Sequence, residues 1–133
     1  VRGERGKEEA VSETNNLSEQ GRQEWAVVFR SEHFGQGAEA LGNRLMDAFL
    51  HTLLEVSPRP GSLIFHNRGV FLTIKDAPFV EALQELERHG ASILVCGVCL
   101  DHYALRHRLA VGRACNMFEI VEVLARASKI FTP

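Results

Sequence analysis

The chain has 133 residues, 45% hydrophobic and 24% charged, with 15 Lys and Arg against 17 Asp and Glu for a formal charge of −2. That length and balance fit one globular domain around a single core, and basic residues scattered among acids argue against a nucleic-acid binder, whose phosphate contacts need a clustered cationic surface. No apolar stretch approaches the roughly 18 residues that span a bilayer and no charged-then-apolar leader opens the chain, so no membrane contact is expected and a cytoplasmic location is the default.

Residues 1–24 are rich in Arg, Glu, Ser, Asn, Gln and Gly, with Val11 and Leu17 almost the only large apolar side chains. Such a segment cannot build a core and is expected to be a flexible arm or inter-domain linker; with no initiator Met, the chain is expected to begin inside a longer protein. From Trp25 the pattern changes. Trp25-Ala26-Val27-Val28-Phe29 is a continuous apolar run of strand length, as in a strand covered on both faces of a parallel sheet. A loop with His33, Gly35 and Gly37 follows, then Leu41, Leu45, Phe49, Leu53 and Leu54 at spacings of three and four, which predict an amphipathic helix over Ala38 to Val56. The Ser57-Pro58-Arg59-Pro60-Gly61 run stops it.

Ser62 to His66 reads as the second strand, Asn67-Arg68-Gly69 as a turn, and Val70 to Thr73 as a short alternating piece. Asp76-Ala77-Pro78 looks like a helix start, with Asp76 near the N-cap and Pro78 in the first turn; Val80, Leu83 and Leu86 give that helix its apolar face and Gly90 ends it. The third strand, Ala91 to Val95, runs straight into Cys96. Leu100 to Arg108 reads as a short helix, Leu109 to Cys115 as loop and fourth strand, Met117 to Ala127 as the last helix, and Lys129-Ile130-Phe131 as a short final strand. Alternating short strands and helices predict an α/β fold, a mainly parallel sheet with helices on both faces. Ligands of such folds sit beyond the carboxyl ends of the strands. Three loops therefore gain interest: 33–37, 66–69 and 96–102.

Cys96-Gly97-Val98-Cys99 lies where the third strand gives way to a helix. Three cysteines, with Cys115 the third, are an odd number in a chain with ample core, so reactive or ligating thiols are a better expectation than a disulfide scaffold. A thiol is a nucleophile only when ionised, and a helix N-terminus following the pair offers unpaired N–H groups and a positive dipole end that favour the thiolate. Gly97 lets the backbone turn close to whatever the sulfur carries. A persulfide or selenosulfide on Cys96, the preferred carrier, could be resolved as a disulfide by Cys99. Spacing alone leaves other readings open: cysteines that only fill the core, half of a zinc site completed by Cys115 with His66 or His102, or a thioredoxin-type redox pair, although such a pair normally follows an early strand. His33, His66 and His102 fall in the three loops and are candidate proton donors or acceptors. Gly35 and Gly37 form no phosphate loop, since no Gly-Lys-Ser/Thr follows.

Four features, the Gly35-Gln36-Gly37 loop with the helix after it, Ile64 to Val70, the box Cys96-Gly97-Val98-Cys99-Leu100-Asp101-His102-Tyr103, and Val111-Gly112 to Asn116-Met117, carry a resemblance to a known family. From Trp25 to Pro133 the chain resembles the DsrE-like family of small sulfur-relay proteins, and more closely the C-terminal domain of YedF-type selenium-metabolism proteins. The resemblance implies a three-layer α/β/α domain over residues 25–133 with about five strands, and assembly into dimers or larger rings. It also implies a strand-end cysteine, matched by Cys96, that accepts sulfur as a persulfide in a sulfurtransferase-like exchange with TusA-like donor or acceptor proteins. Proteins of the YedF branch usually carry a TusA-like domain ahead of this one, and residues 1–24 would suit the linker. The expected site comprises Cys96, Cys99, His102 and His66 for the chemistry and Gly35, Gly37, Asn67 and Gly97 around the substrate, with no metal and no cofactor. The competing expectation is a non-catalytic oligomeric module whose cysteines are structural or zinc-bound.

Overall fold

A computed structural model describes residues 24–133; the arm expected over residues 1–24 lies, apart from Glu24, outside them. In chain order come strand β1 (Ala26–Phe29), helix α1 (Glu39–Leu53), strand β2 (Ser62–Phe65), a 3-10 helix (Asn67–Leu72), helix α2 (Val80–Arg88) and strand β3 (Ser92–Cys96). Helix α3 (Gly97–His102), a second 3-10 turn (Arg106–Arg108), strand β4 (Arg113–Cys115), helix α4 (Met117–Arg126) and strand β5 (Ile130–Phe131) complete it. Among the described residues no helix is long and apolar enough to cross a membrane.

The five strands form one sheet in the order β4-β3-β2-β1-β5, and every pairing is parallel. Side chains alternate across the sheet. Val27, Phe29, Leu63, Phe65, Ile93 and Val95 point to one face, where Met46, Leu50 and Leu53 of α1 and Leu83 and Leu86 of α2 bury them; Val28, Ile64, Leu94, Cys96 and Cys115 point to the other, against Ile120 of α4. This is the three-layer α/β/α arrangement that the alternating pattern predicts. The register places Phe29 opposite Phe65, and their rings stack at 4.5 Å with Phe49 of α1 edge-on to Phe29, a cross-strand aromatic pair of the kind that stabilises a sheet beyond its buried area.

The chain steps outward from β1 to β4 with its connections on the α1/α2 face; α4 then carries it back across the opposite face to set β5 beside β1. The chain therefore leaves β3 and β4, adjacent in the sheet, toward opposite faces. At such a switch point the connections diverge and open a crevice beyond the strand ends. Cys96 and Cys115, paired in register across β3 and β4, are the last residues of those two strands.

Three local readings change. Asp76 is not the cap of α2: it sits in a turn at φ +67 while the helix begins at Val80 behind Phe79, because Pro78 disfavours helical geometry at Ala77 and delays the start. The short alternating piece Val70 to Thr73 is 3-10 helix as far as Leu72, with a bend at Thr73. Helix α3 starts three residues earlier than expected and stops six residues earlier. It ends in a Schellman motif, with Leu105 N–H on Leu100 O at 2.7 Å and Ala104 N–H on Asp101 O at 3.1 Å, and Ala104 at φ +56 in the position usually given to glycine. Gly90 fills the same role after α2 at φ +105, as expected.

Because left-handed backbone costs an L-residue with a Cβ roughly 1–2 kcal/mol and glycine returns about 0.4–1 kcal/mol of that through unfolded-state entropy, Ala104→Gly is expected to raise stability by about 0.5–1 kcal/mol, read as a higher urea midpoint at unchanged slope.

Candidate functional site

The site is built from the chain reversal at the end of β3. Cys96 leaves the strand in extended backbone geometry and serves as the N-cap of α3, its Sγ accepting the Cys99 N–H at 3.3 Å. A sulfur thus does what an oxygen side chain does at most helix starts, satisfying an N–H that would otherwise be orphaned. It also explains why the helix begins at once, so that Cys99 lies inside the first turn and not ahead of it. The next residue, Gly97, is buried, and a Cβ there would displace the Arg106 guanidinium and press on the Cys115 carbonyl, so glycine lets the three segments approach most closely. Arg106 then braces the corner, donating to Gly97 O at 3.3 Å and to both carboxylate oxygens of Asp101 at 2.8 and 3.0 Å.

All three thiols are free and belong to one cluster. Cys96 is 4% and Cys115 8% exposed, whereas Cys99 is only half-buried. The Cys99 Sγ accepts the Asn67 N–H at 3.0 Å. That donor comes from the loop after β2, which is pressed onto the end of β1: His66 N–H bonds Phe29 O at 3.1 Å, and Gly69 packs so tightly on the same carbonyl that any side chain would collide with it. Burial, and next the Cys96 thiol, push the Cys99 thiol above its ordinary range against the opposing pull of the Asn67 N–H. Burial, reinforced by the Glu119 carboxylate, raises Cys115 as well, with Arg113 opposing. At Cys99, desolvation of the charged sulfur outweighs the start of α3, whose six residues are too few for a large dipole.

The expected loops 66–69 and 96–102 meet at the Asn67–Cys99 contact, and Glu32, one residue ahead of the loop expected at 33–37, joins them. Arg68 donates to both oxygens of Glu32, at 2.8 and 3.0 Å, and its guanidinium lies 4.4 Å from the Phe71 ring centre and 5.7 Å from that of Tyr103, just after α3. Tyr103 Oη reaches Asn67 Oδ1 at 3.4 Å. Of the other expected positions, His66 is half-buried as the residue preceding the 3-10 helix, and His102 is exposed in the last turn of α3, edge-on to Tyr103. Gly35 and Gly37 are exposed at φ +75 and +142 with open space beside them. His33 packs on Gly42 and lines a cleft of about 360 Å³ with Glu32, Phe71, Asp76, Phe79 and Arg108, apart from the cysteines. Among the described residues no group of three or more His, Cys, Asp or Glu side chains is placed to hold a metal ion.

The sequence assigns no site role to Arg68 or Glu32, and offers Cys115 only as a structural residue or a candidate zinc ligand. Their signal was register and loop convergence, which a single sequence does not display.

Burial, then the nearby Arg30 charge, lowers His66 below the ordinary histidine value. The folded state thus favours neutral imidazole, so its share of stability is complete above the ordinary value and is lost as pH falls through that range toward the lower folded value. The His66 ring resonances are expected to titrate below a model histidine by NMR, and His66→Gln to flatten the decline in stability from about pH 7 to 5.

A model of the DsrE/DsrF-like family matches residues 24–133. Among solved structures, the chain is similar to the ychN protein from E. coli, with a TM-score of 0.60 and 17% identity over 84% of this chain and 100% of that one. It is also similar to MTH1491, a protein of unknown function from Methanobacterium thermoautotrophicum, with a TM-score of 0.57 and 16% identity over 83% of this chain and 100% of that one. No curated protein matches. The family match takes in every residue of the sheet, its helices and the thiol cluster, and the chain belongs to the DsrE/DsrF-like family.

Proposed function

We propose that the protein is a sulfur- or selenium-transfer carrier whose persulfide or selenosulfide forms on the cysteine pair at the end of β3. The observation that carries this reading is the convergence of three thiols at the switch point, with the half-buried Cys99 sulfur held by a backbone N–H. The family is linked to sulfur relay. Cys99 is the thiol of the pair that a donor reaches most directly. In the first exchange its sulfur attacks the outer sulfur of a donor persulfide; that S–S bond breaks, the electron pair leaves on the donor thiolate, and the Cys99 proton follows it, so a thiol and a persulfide trade places with no net redox change. Cys96, the strand-end cysteine expected as carrier, then either takes the chalcogen onward by the same exchange or attacks the inner sulfur, releasing sulfide and leaving a Cys96–Cys99 disulfide. His66, neutral near physiological pH, is the candidate acceptor of the thiol proton, and the exposed His102 the candidate donor to the leaving group. Asn67 and Gly97 shape the cradle, while Gly35 and Gly37 stay candidates for substrate contact at the rim.

The closer likeness to YedF-type proteins extends the reading to selenium and to TusA-like partners. Exposed apolar side chains beside the thiols, Val98 at 77%, Phe118 at 71%, Met117 at 60% and Val121 at 53%, support docking of another protein or a second copy there. The near-complete burial of Cys96 and Cys115 favours a second reading, an assembly module with structural cysteines, in which bound zinc would need ligands from a partner or a second copy because the described residues offer no metal-binding group.

Incubation with a persulfide donor or with selenite and thiol is expected to add the mass of one sulfur or one selenium atom to a peptide containing Cys96 or Cys99, and Cys99→Ser to abolish at least 90% of it, an order-of-magnitude loss expected of a nucleophile. An unmodified pair, with stoichiometric zinc in protein purified without added metal, would establish the second reading. Phe118→Asp is expected to lower the mass measured by light scattering to that of a smaller assembly.

A further inference from the structure

One continuous set of contacts runs from the outer rim of the site to the Cys99 sulfur. Glu32, after β1, accepts from Nε and Nη2 of Arg68. The Arg68 guanidinium rests on Phe71 and reaches over Tyr103, whose rings meet edge to face at 4.9 Å. The Tyr103 hydroxyl engages the Asn67 side chain, and the Asn67 N–H meets Cys99 Sγ. Asn67 is at φ +54, a left-handed conformation that few residues with a side chain adopt and that asparagine tolerates best. The turn opens the 3-10 helix two residues after β2 ends at Phe65, and it points the Asn67 N–H at the Cys99 sulfur.

Resting on the carrier reading, we propose that Arg68 and Tyr103 are positioning residues for Cys99: a clasp across three loops that holds the Asn67 N–H on the sulfur and so sets its reactivity toward an electrophilic chalcogen. A donor N–H stabilises negative charge on sulfur, and here it opposes both burial and the neighbouring Cys96 thiol. Loosening the turn removes the favourable contribution and leaves the two unfavourable ones. The remaining ionisable groups on the elements around Cys99 differ in kind. Asp101 and Arg106 neutralise each other, as do Arg113 and Glu119; His66 and His102 flank the clasp, and Cys115 lies beyond Cys96. The clasp acts through hydrogen-bond geometry, not through added charge, because Arg68 is itself neutralised by Glu32.

The test is iodoacetamide labelling as a function of pH, with each cysteine quantified separately by mass spectrometry. Tyr103→Phe keeps the ring contacts with Phe71 and Arg68, removes no cation, and loses only the hydroxyl. Arg68→Ala removes the link to Glu32, and Arg68→Lys restores the charge without the planar fork that pairs and stacks. All three are expected to move the Cys99 profile upward, with labelling near neutral pH slowed roughly 3–10-fold, an upward shift of about half to one pH unit, while the Cys115 profile stays in place. A Cys99 profile that superimposes on the parent in Y103F and R68A overturns the proposal. Equal acceleration of all three cysteines would overturn it too, since that reports a loosened fold and not a lost aim. Labelling needs no chalcogen, so the clasp and the carrier reading fail separately: an absent adduct leaves the clasp standing, and an unmoved profile leaves the carrier standing.

Discussion

The structure depends on one constraint: β3 and β4 are hydrogen-bonded side by side in parallel, yet the chain must leave them toward opposite faces of the sheet. Two adjacent strands that part in this way cannot bury their ends completely, and what fills the gap is sulfur. Cys96 and Cys115 end the two strands at the same level, on the face covered by α4. Because α3 starts immediately after β3, its first N–H groups need a partner inside the turn, and the Cys96 sulfur supplies one. Gly97 eases that sharp turn by offering no Cβ to the Arg106 guanidinium and the Cys115 carbonyl. Strand register, helix cap, glycine and thiol cluster are thus consequences of one crossover.

The same constraint decides the chemistry at rest. Thiols placed at the sheet's end are shielded by the helices that the crossover brings in, and shielding penalises the charged form. Cys99 escapes part of this because it lies within α3, on the side facing the loop after β2, where it finds the Asn67 N–H. The result is a sulfur kept protonated yet reachable. Such a thiol is a stronger nucleophile once ionised than one of lower pKa, at the cost of a smaller ionised fraction. A chalcogen carrier gains from that balance, since indiscriminate reaction with passing electrophiles would waste the cargo site.

Much of the fold was legible because local signals and global topology agree. Apolar runs of strand length at 25–29, 62–66 and 91–95 read as strands covered on both faces, as in a parallel sheet, and the three-and-four spacing of the helices between them required crossovers. Gly90 announced the end of α2 because a Schellman turn prefers glycine. Where one residue type did another's work, the sequence misled: Ala104 ends α3 in the position of a glycine, Cys96 caps it in place of an oxygen side chain, and Pro78 acted on the residue before it and delayed the helix that Asp76 seemed to start.

The sequence by itself determined the layer architecture, the carboxyl-end loops and the cysteine pair at a strand's end, because hydrophobic period, turn chemistry and motif spacing are properties of neighbours along the chain. Only the tertiary structure decided how the thiols are ranked by exposure, that Cys115 stands beside Cys96, that the Cys99 sulfur receives the Asn67 N–H, and that Glu32, Arg68 and Tyr103 join in one clasp. Those facts depend on which strands pair, in what register, and which way the chain turns when it leaves them. They join residues some 30 positions apart in the chain, as the Asn67–Cys99 contact does at a separation of 32, and no local pattern along one sequence encodes that.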